Sequence, residues 1–269
     1  MENKQDFYVK GILHCGKCGY PKQVKLKLFG QEIIQDALCK CETEKRDQEN
    51  AAFEEELRRQ ERERMRRAAF PDEKMASWTF DKDDKKDPIL SVQAHNFVRN
   101  FKTFKKEGKG LMLYGPVGTG KTFITACIAN ALIDDNVPCL VTSFPRLVNE
   151  IQGIFEGRQE YIDSLNDYDL LVIDDLASER NTDYMNEIVM NVVDARYTSR
   201  LPLIVSTNLT KEELLNPSDL RKQRVYSRLM EICHPILVDG KDRRRQILRT
   251  SYNETDRILK GRTEEEVKR

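Results

Sequence analysis

No stretch of this sequence stays apolar for the ~20 residues that a membrane-spanning helix needs, so no such helix is expected. Basic charge is not in excess either. The 45 Lys and Arg residues balance 45 Asp and Glu, the formal net charge is zero, and no overall basic field attracts nucleic acid. Any DNA contact must then come from local patches. Residues 1–11 are polar and charged and lack the apolar centre of a secretory signal. Tryptophan occurs once, at Trp78, and the first forty residues hold too few large apolar side chains for a core of their own. Cysteine is not scarce: seven without a secretory signal imply a reducing compartment, where metal binding is expected rather than disulfides. The expectation is a cytoplasmic protein with no membrane contact. Its 269 residues are enough for one α/β domain and a small appendage.

What is there is organised around Gly115-Pro116-Val117-Gly118-Thr119-Gly120-Lys121-Thr122, a full match to G-x-x-x-x-G-K-[ST]. The apolar run Leu111–Tyr114 precedes it as a buried strand. Phe123, Ile124, Cys127, Ile128, Ala131 and Leu132 follow at helical spacing. Glycines let successive backbone N–H groups turn inward around phosphate oxygens at the positive end of a helix. Lys121 adds a point charge for the β- and γ-phosphates, and the Thr122 hydroxyl is a hard oxygen ligand for Mg²⁺. A nucleoside triphosphate is the expected ligand.

Ahead of this core, Cys15-Gly16-Lys17-Cys18 and Cys39-Lys40-Cys41 offer four thiolates to one structural Zn²⁺, with His14 a neighbour rather than a ligand. Between them Gln23–Gly30 alternates polar and apolar, as a strand before a turn does. Residues 42–67 are rich in Glu, Arg, Lys and Gln. The pairs Glu54/Arg58, Glu55/Arg59 and Glu63/Arg67 predict a solvated helix that Pro71 ends. The expected organisation is a zinc-binding domain at 1–41, a charged linker helix at 42–74 and a nucleotide-binding domain at 75–269. Val92, Phe97, Val98, Phe101 and Phe104 predict one helix that Gly108 and Gly110 terminate, and Trp78 is expected in the core or beside the nucleotide base.

Downstream, Pro138–Thr142 reads as a second buried strand, and Ser143 caps a helix carrying Leu147, Val148, Ile151, Ile154 and Phe155. Leu170–Ile173 is an apolar strand ending in Asp174-Asp175. Asp174 is the expected Mg²⁺ holder and Asp175 the residue that orients or deprotonates the attacking water, with Glu179 a competitor for that base role. Leu203–Asn208 is a strand whose terminal amide, Asn208, suits holding that water in line. Arg224 and Arg228 lie one helical turn apart on one face. Such a pair is ordinarily solvated, but it is also placed to reach a nucleotide held by a neighbouring subunit.

Residues 110–250 resemble the AAA+ ATPases, and within them the DnaC/DnaI-type helicase loaders and the related IstB-type transposition helpers. The matches are Gly115–Thr122, Leu171–Asp175, Ser206-Thr207-Asn208, Arg224-x-x-x-Arg228 and Gly240–Arg244. In those families they correspond to Walker A, Walker B, sensor 1, the arginine-finger region acting across subunits, and the sensor 2 arginine. For sensor 2 the choice is Arg244, with Arg243 and Arg245 as alternatives. The resemblance implies a five-stranded parallel sheet flanked by helices, self-association, and ATP-dependent assembly on single-stranded DNA through Ser143–Tyr161 and the loop near Thr182–Tyr184. The cysteine segment and charged helix look, in layout, like the helicase-binding arm of such loaders, which implies a hexameric DnaB-type replicative helicase as partner.

This chain departs from the pattern in two places. Asp174-Asp175 stands where many relatives have Asp-Glu, so slow hydrolysis is implied. Only about 30 residues follow the last strand, so the lid is expected to be truncated. The alternative reading is an IstB-like transposition helper acting on duplex DNA. A purely structural adaptor is disfavoured by intact Lys121, Asp174 and Asn208.

Overall fold

The apolar runs become strands because both faces of a parallel sheet are covered, so most positions along the central runs are buried. In the computed structural model, which describes residues 5–176, 183–217, 219–244, 252 and 255–260, the chain forms two compact units, residues 1–61 and 62–269.

The first unit holds two antiparallel hairpins, β1 (Phe7–Val9) with β2 (Ile12–His14) and β3 (Gln23–Leu28) with β4 (Gln31–Asp36). The second hairpin turns through Phe29-Gly30, both in left-handed backbone at φ 50° and 82°, the two-residue geometry that suits strand twist. Helix α1 (Lys40–Ala69) starts with Cys41 in its first turn and ends before Pro71. On it Arg58 pairs with Glu54 at 3.6 Å, and Arg59 pairs with Glu56 at 2.9 Å.

The second unit adds α2 (Glu73–Ala76), α3 (Pro88–Arg99), α4 (Phe101–Glu107), β5 (Gly110–Tyr114), α5 (Lys121–Asp134), β6 (Cys139–Ser143), α6 (Phe144–Gln152), α7 (Arg158–Ser164), β7 (Leu170–Leu176), α8 (Asp183–Ser199), β8 (Leu203–Thr207), α9 (Lys211–Leu215), α10 (Leu220–Ile232) and β9 (Cys233–Leu237). Five strands pair in the order β6-β7-β8-β5-β9, all parallel. Alternation sorts their side chains. Leu111, Leu113, Val141, Val172 and Ile204 pack against α3, α4 and α5, while Met112, Leu171, Ile173, Leu203 and Val205 pack against α6, α7, α8 and α10. The five-stranded parallel sheet flanked by helices is as expected.

Two local readings change. The single helix expected across Val92–Phe104 is broken at Asn100 into α3 and α4, and Val92 faces solvent while Leu90, Ala94 and Phe97 are buried. Helix α6 stops at Gln152, capped by Gly153, so Phe155 lies beyond it and is 96% exposed rather than on the buried face. The Ser143 cap is present, its Oγ accepting the Arg146 N–H at 3.4 Å.

On α8 the fully buried Arg196 donates to three backbone carbonyls, those of Leu165 (3.2 Å), Asp169 (3.3 Å) and Pro202 (2.9 Å). It thereby ties together the turns that lead into β7 and β8. Among the described residues, no helix is long and apolar enough to cross a membrane.

Candidate functional site

Three neighbouring strands end on one edge of the sheet, and the residues at those ends carry the chemistry. β5 runs into Gly115–Thr122, β7 carries Asp174 and Asp175, and Asn208 follows β8. Gly115, Gly118 and Gly120 hold φ of 129°, 80° and 105°, backbone that side-chain-bearing residues rarely adopt. They wrap the loop so that α5 opens at Lys121, with its unpaired N–H groups and positive dipole end facing the cleft. The buried Lys121 donates from Nζ to the carbonyls of Gly115 and Pro116, both at 2.8 Å. Burial holds its pKa below the usual lysine range, against the opposing pull of Asp174 and Asp175. Thr119 is buried and bonds back to the Pro116 carbonyl at 3.0 Å, while Pro116 and Val117 are exposed.

A cleft of about 680 Å³ opens over this loop. Gly118, Gly120, Lys121 and Thr122 of the loop line it together with Asp175 and Asn208 from the strand ends, Trp78, Lys82, Asp84 and Lys86 from the segment before α3, and Arg243 and Arg244. Its size and basic lining suit a nucleoside triphosphate. Trp78 packs partly on the core, one of its two expected places, and also lines the cleft, its ring 5.8 Å from Phe123. Arg243 pairs through Nη1 with Asp84 at 3.2 Å. The backbone after β9 is fastened to the loop: Val238 N–H donates to the Tyr114 carbonyl at 2.8 Å and Arg243 N–H to the Gly118 carbonyl at 2.9 Å. The Asp242 carboxylate occupies the place where a side chain on Gly118 would begin.

The carboxylates are organised across β7 and β8. The Thr122 hydroxyl donates to Asp174 Oδ2 at 2.8 Å, so the two oxygens a small hard cation would take already lie together. The Ser206 hydroxyl donates to Asp174 Oδ1 and accepts the Asp175 N–H at 3.2 Å. Asp175 sits at a bulge with φ 59°. Burial, then the charge of Asp174, raises its pKa above the ordinary carboxylate value, while Arg244 and Lys121 oppose the shift. Such a carboxylate is better matched to accepting a proton than an ordinary one.

The structure thus brings together Lys121, Thr122, Asp174, Asp175, Asn208 and Arg244. It does not bring Arg224 or Arg228 to this cleft: Arg224 is exposed on α10, and Arg228 pairs with Asp194 and lies over the Tyr197 ring at 5.7 Å. Glu179, Thr182 and Arg245 lie outside the described residues, as does most of the tail expected to form a truncated lid. Reasoning from sequence gave Ser206 no role of its own within the Ser206-Thr207-Asn208 match, and it passed over Asp84. Ser206 had a usable signal, since it stands two residues before Asn208 on the same strand face; Asp84 had none inside its charged loop.

In the first unit the sulfurs of Cys15, Cys18, Cys39 and Cys41 all lie within 4.8 Å of one another, with Cys15 and Cys39 buried. The Cys15–Cys41 separation is 3.6 Å and the Cys39–Cys41 separation 3.2 Å. Zinc–sulfur bonds of about 2.3 Å in a tetrahedron put sulfurs about 3.8 Å apart, so this donor set fits Zn²⁺. The C-x₂-C turn closes with Gly19 N–H on the Cys15 carbonyl at 2.8 Å, Gly19 holding φ 73°. Backbone N–H groups of Cys41 and Tyr20 draw the Cys18 thiol down to about 6, and burial pushes Cys39 up.

Comparison with known proteins gives consistent relatives. The family described as IstB-like ATP binding protein matches residues 44–251. The chain is 29% identical over 181 residues, 62% of its length, to a protein of Bacillus subtilis (strain 168) named "Replicative helicase loader DnaI"; the match spans 58% of that relative. Two solved structures share the fold. "Crystal Structure of the DnaI" gives a TM-score of 0.54 at 23% identity, covering 64% of this chain and 96% of that one. "Crystal structure of the DnaC helicase loader" gives 0.53 at 21% identity, covering 62% and 100%.

Proposed function

We propose, from the premise that this chain belongs to the family of IstB-like ATP-binding proteins and has an AAA+ P-loop core, that it is an ATP-dependent loader of a hexameric, DnaB-type replicative helicase. The observation that carries this reading is the 29% identity to a protein named as a replicative helicase loader, over a little more than half of that protein's length.

In this reading the loop Gly115–Thr122 encloses the phosphates of ATP. Thr122 and Asp174 hold Mg²⁺, Asp175 takes the proton of an attacking water that Asn208 orients, and Arg244 reaches the γ-phosphate. When bound, Mg²⁺ neutralises charge on the transferring phosphoryl group. Arg224, exposed on α10, and Arg228, one turn on and leaving its Asp194 partner, complete the site of a neighbouring copy in a self-associated assembly. Hydrolysis is slow because the second carboxylate is the shorter Asp. Single-stranded DNA lies along the region after β6, where the exposed Phe155 offers a stacking surface and Arg158 lies over the Tyr184 ring at 6.0 Å. The Cys₄ unit holds structural Zn²⁺ and contacts the helicase. The protein acts in the cytoplasm.

The test is native mass spectrometry of the full chain mixed with the hexameric replicative helicase of its source, with and without ATP, alongside ATP turnover with single-stranded or duplex DNA. A stoichiometric complex and stimulation by single strands are expected. No complex under any nucleotide condition, with duplex DNA the better stimulant, would replace the loader by a transposition helper.

A further inference from the structure

We propose that Ser206 is a positioning residue of the nucleotide site: its one hydroxyl turns Asp174 toward the Mg²⁺ position and fixes the backbone from which Asp175 enters the cleft. This deepens the nucleotide reading above and rests on it.

The argument starts from strand register. Ile173 pairs with Val205 and Leu176 pairs with Thr207, so two residues of β7, Asp174 and Asp175, stand opposite Ser206 alone on β8. A bulge of this kind interrupts the ladder and re-aims a side chain. Across it the Ser206 hydroxyl accepts the Asp175 N–H at 3.2 Å. That bond supports a left-handed backbone at φ 59°, uncommon for a side-chain-bearing residue though more accessible to aspartate than to most.

A serine hydroxyl has one proton to give and lone pairs to receive. Because the Asp175 N–H can only donate, the proton of Ser206 goes to Asp174 Oδ1. The other carboxylate oxygen, Oδ2, receives the Thr122 hydroxyl at 2.8 Å. With both oxygens held, Asp174 cannot rotate about its last bond, and Oδ2 stays beside the Thr122 oxygen. Ser206 is 1% exposed and does not line the cleft. It therefore touches no nucleotide and acts only through the two aspartates. Asn208 follows two residues later along the same strand direction, so the water-orienting amide and both carboxylates share one support.

The test uses the full-length protein and mant-ATP fluorescence, titrated first in EDTA and then across Mg²⁺ concentrations. For Ser206→Ala the Mg²⁺ needed for half of the metal-dependent gain in mant-ATP affinity is expected to rise about tenfold, the usual scale for losing a residue that orients a ligand. Affinity in EDTA should stay within about twofold, because the phosphate loop is untouched. Ser206→Thr keeps the hydroxyl and is expected to restore the wild-type Mg²⁺ requirement. If the alanine variant does not fold, Ser206→Cys, similar in size but a weak donor, carries the same expectation. A Mg²⁺ requirement in the alanine or cysteine variant within about twofold of wild type overturns the proposal. Wild-type protein that binds no mant-ATP removes the nucleotide reading itself, and this proposal with it.

Discussion

Replacing Arg196 by Met keeps much of the side-chain length and removes the guanidinium from a site only 1% exposed. Three backbone carbonyls, of Leu165, Asp169 and Pro202, lose their charged donor. The side-chain oxygen of Asn166, 3.4 Å from Nη1, retains the Ser199 hydroxyl at 3.2 Å. Stranding a buried acceptor costs about 1–3 kcal/mol. The Pro202 carbonyl keeps the Leu171 N–H at 3.4 Å, so two carbonyls are stranded, and the low end gives a loss of about 2 kcal/mol. For a domain of this size each kcal/mol lowers the melting temperature by about 2–4 °C, so a fall of about 4–8 °C is expected for Arg196→Met. Lys at the same place keeps the charge, but a point ammonium does not span carbonyls from three turns, and an intermediate fall is expected. Circular dichroism melts of the three proteins measure this directly. A methionine variant melting within about 2 °C of wild type would refute the reasoning, since the cost of burying the cation would then cancel the bonds it makes.

Two other perturbations have definite signs. The folded pKa of Asp175 is raised above its unfolded value, so its ionised form costs stability as pH rises through the folded pKa, and that cost is absent below the unfolded pKa. Asp175→Asn is therefore expected to melt higher than wild type at neutral pH while lowering ATP turnover by about 10²–10⁴-fold. Wild-type turnover should fall on the acid side at a higher pH than an ordinary aspartate would give, and an unshifted acid limb would remove Asp175 as the base. Cys39→Ser leaves three sulfurs of the cluster, and metal analysis is expected to show bound zinc dropping from about one per chain to near none. Equal zinc in both proteins would contradict a Cys₄ site.

The parts of this molecule legible in sequence are those whose physics is local or repeats along the chain. Leu111–Tyr114 and Leu170–Ile173 read as strands because burial on both faces leaves an unbroken apolar run. The cysteine pairs read as one site because a knuckle fixes two ligands within a few residues, and the four sulfurs do converge. The break at Asn100 was hidden because Phe97, Phe101 and Phe104 keep helical spacing across it. Phe155 continued an apolar periodicity that Gly153 in fact ends. The link from Ser206 to both aspartates depends on a bulge between strands, with partners 31 and 32 residues away, and the Arg243–Asp84 pair depends on the folded cleft. No window of sequence contains either.

The stretch from Val238 to Arg243 bears a consequence of its own. It is stitched to the backbone at Tyr114 and again at Gly118, so it and the phosphate-binding turn form a closed ring in which neither half slides alone. Asp242 fills the gap beside Gly118 and leaves no slack. A shift of Gly118 would be shared with this stretch, on which Lys241 is exposed. A change at the inner loop would in this way reach the outer surface, where another molecule could meet it without entering the cleft.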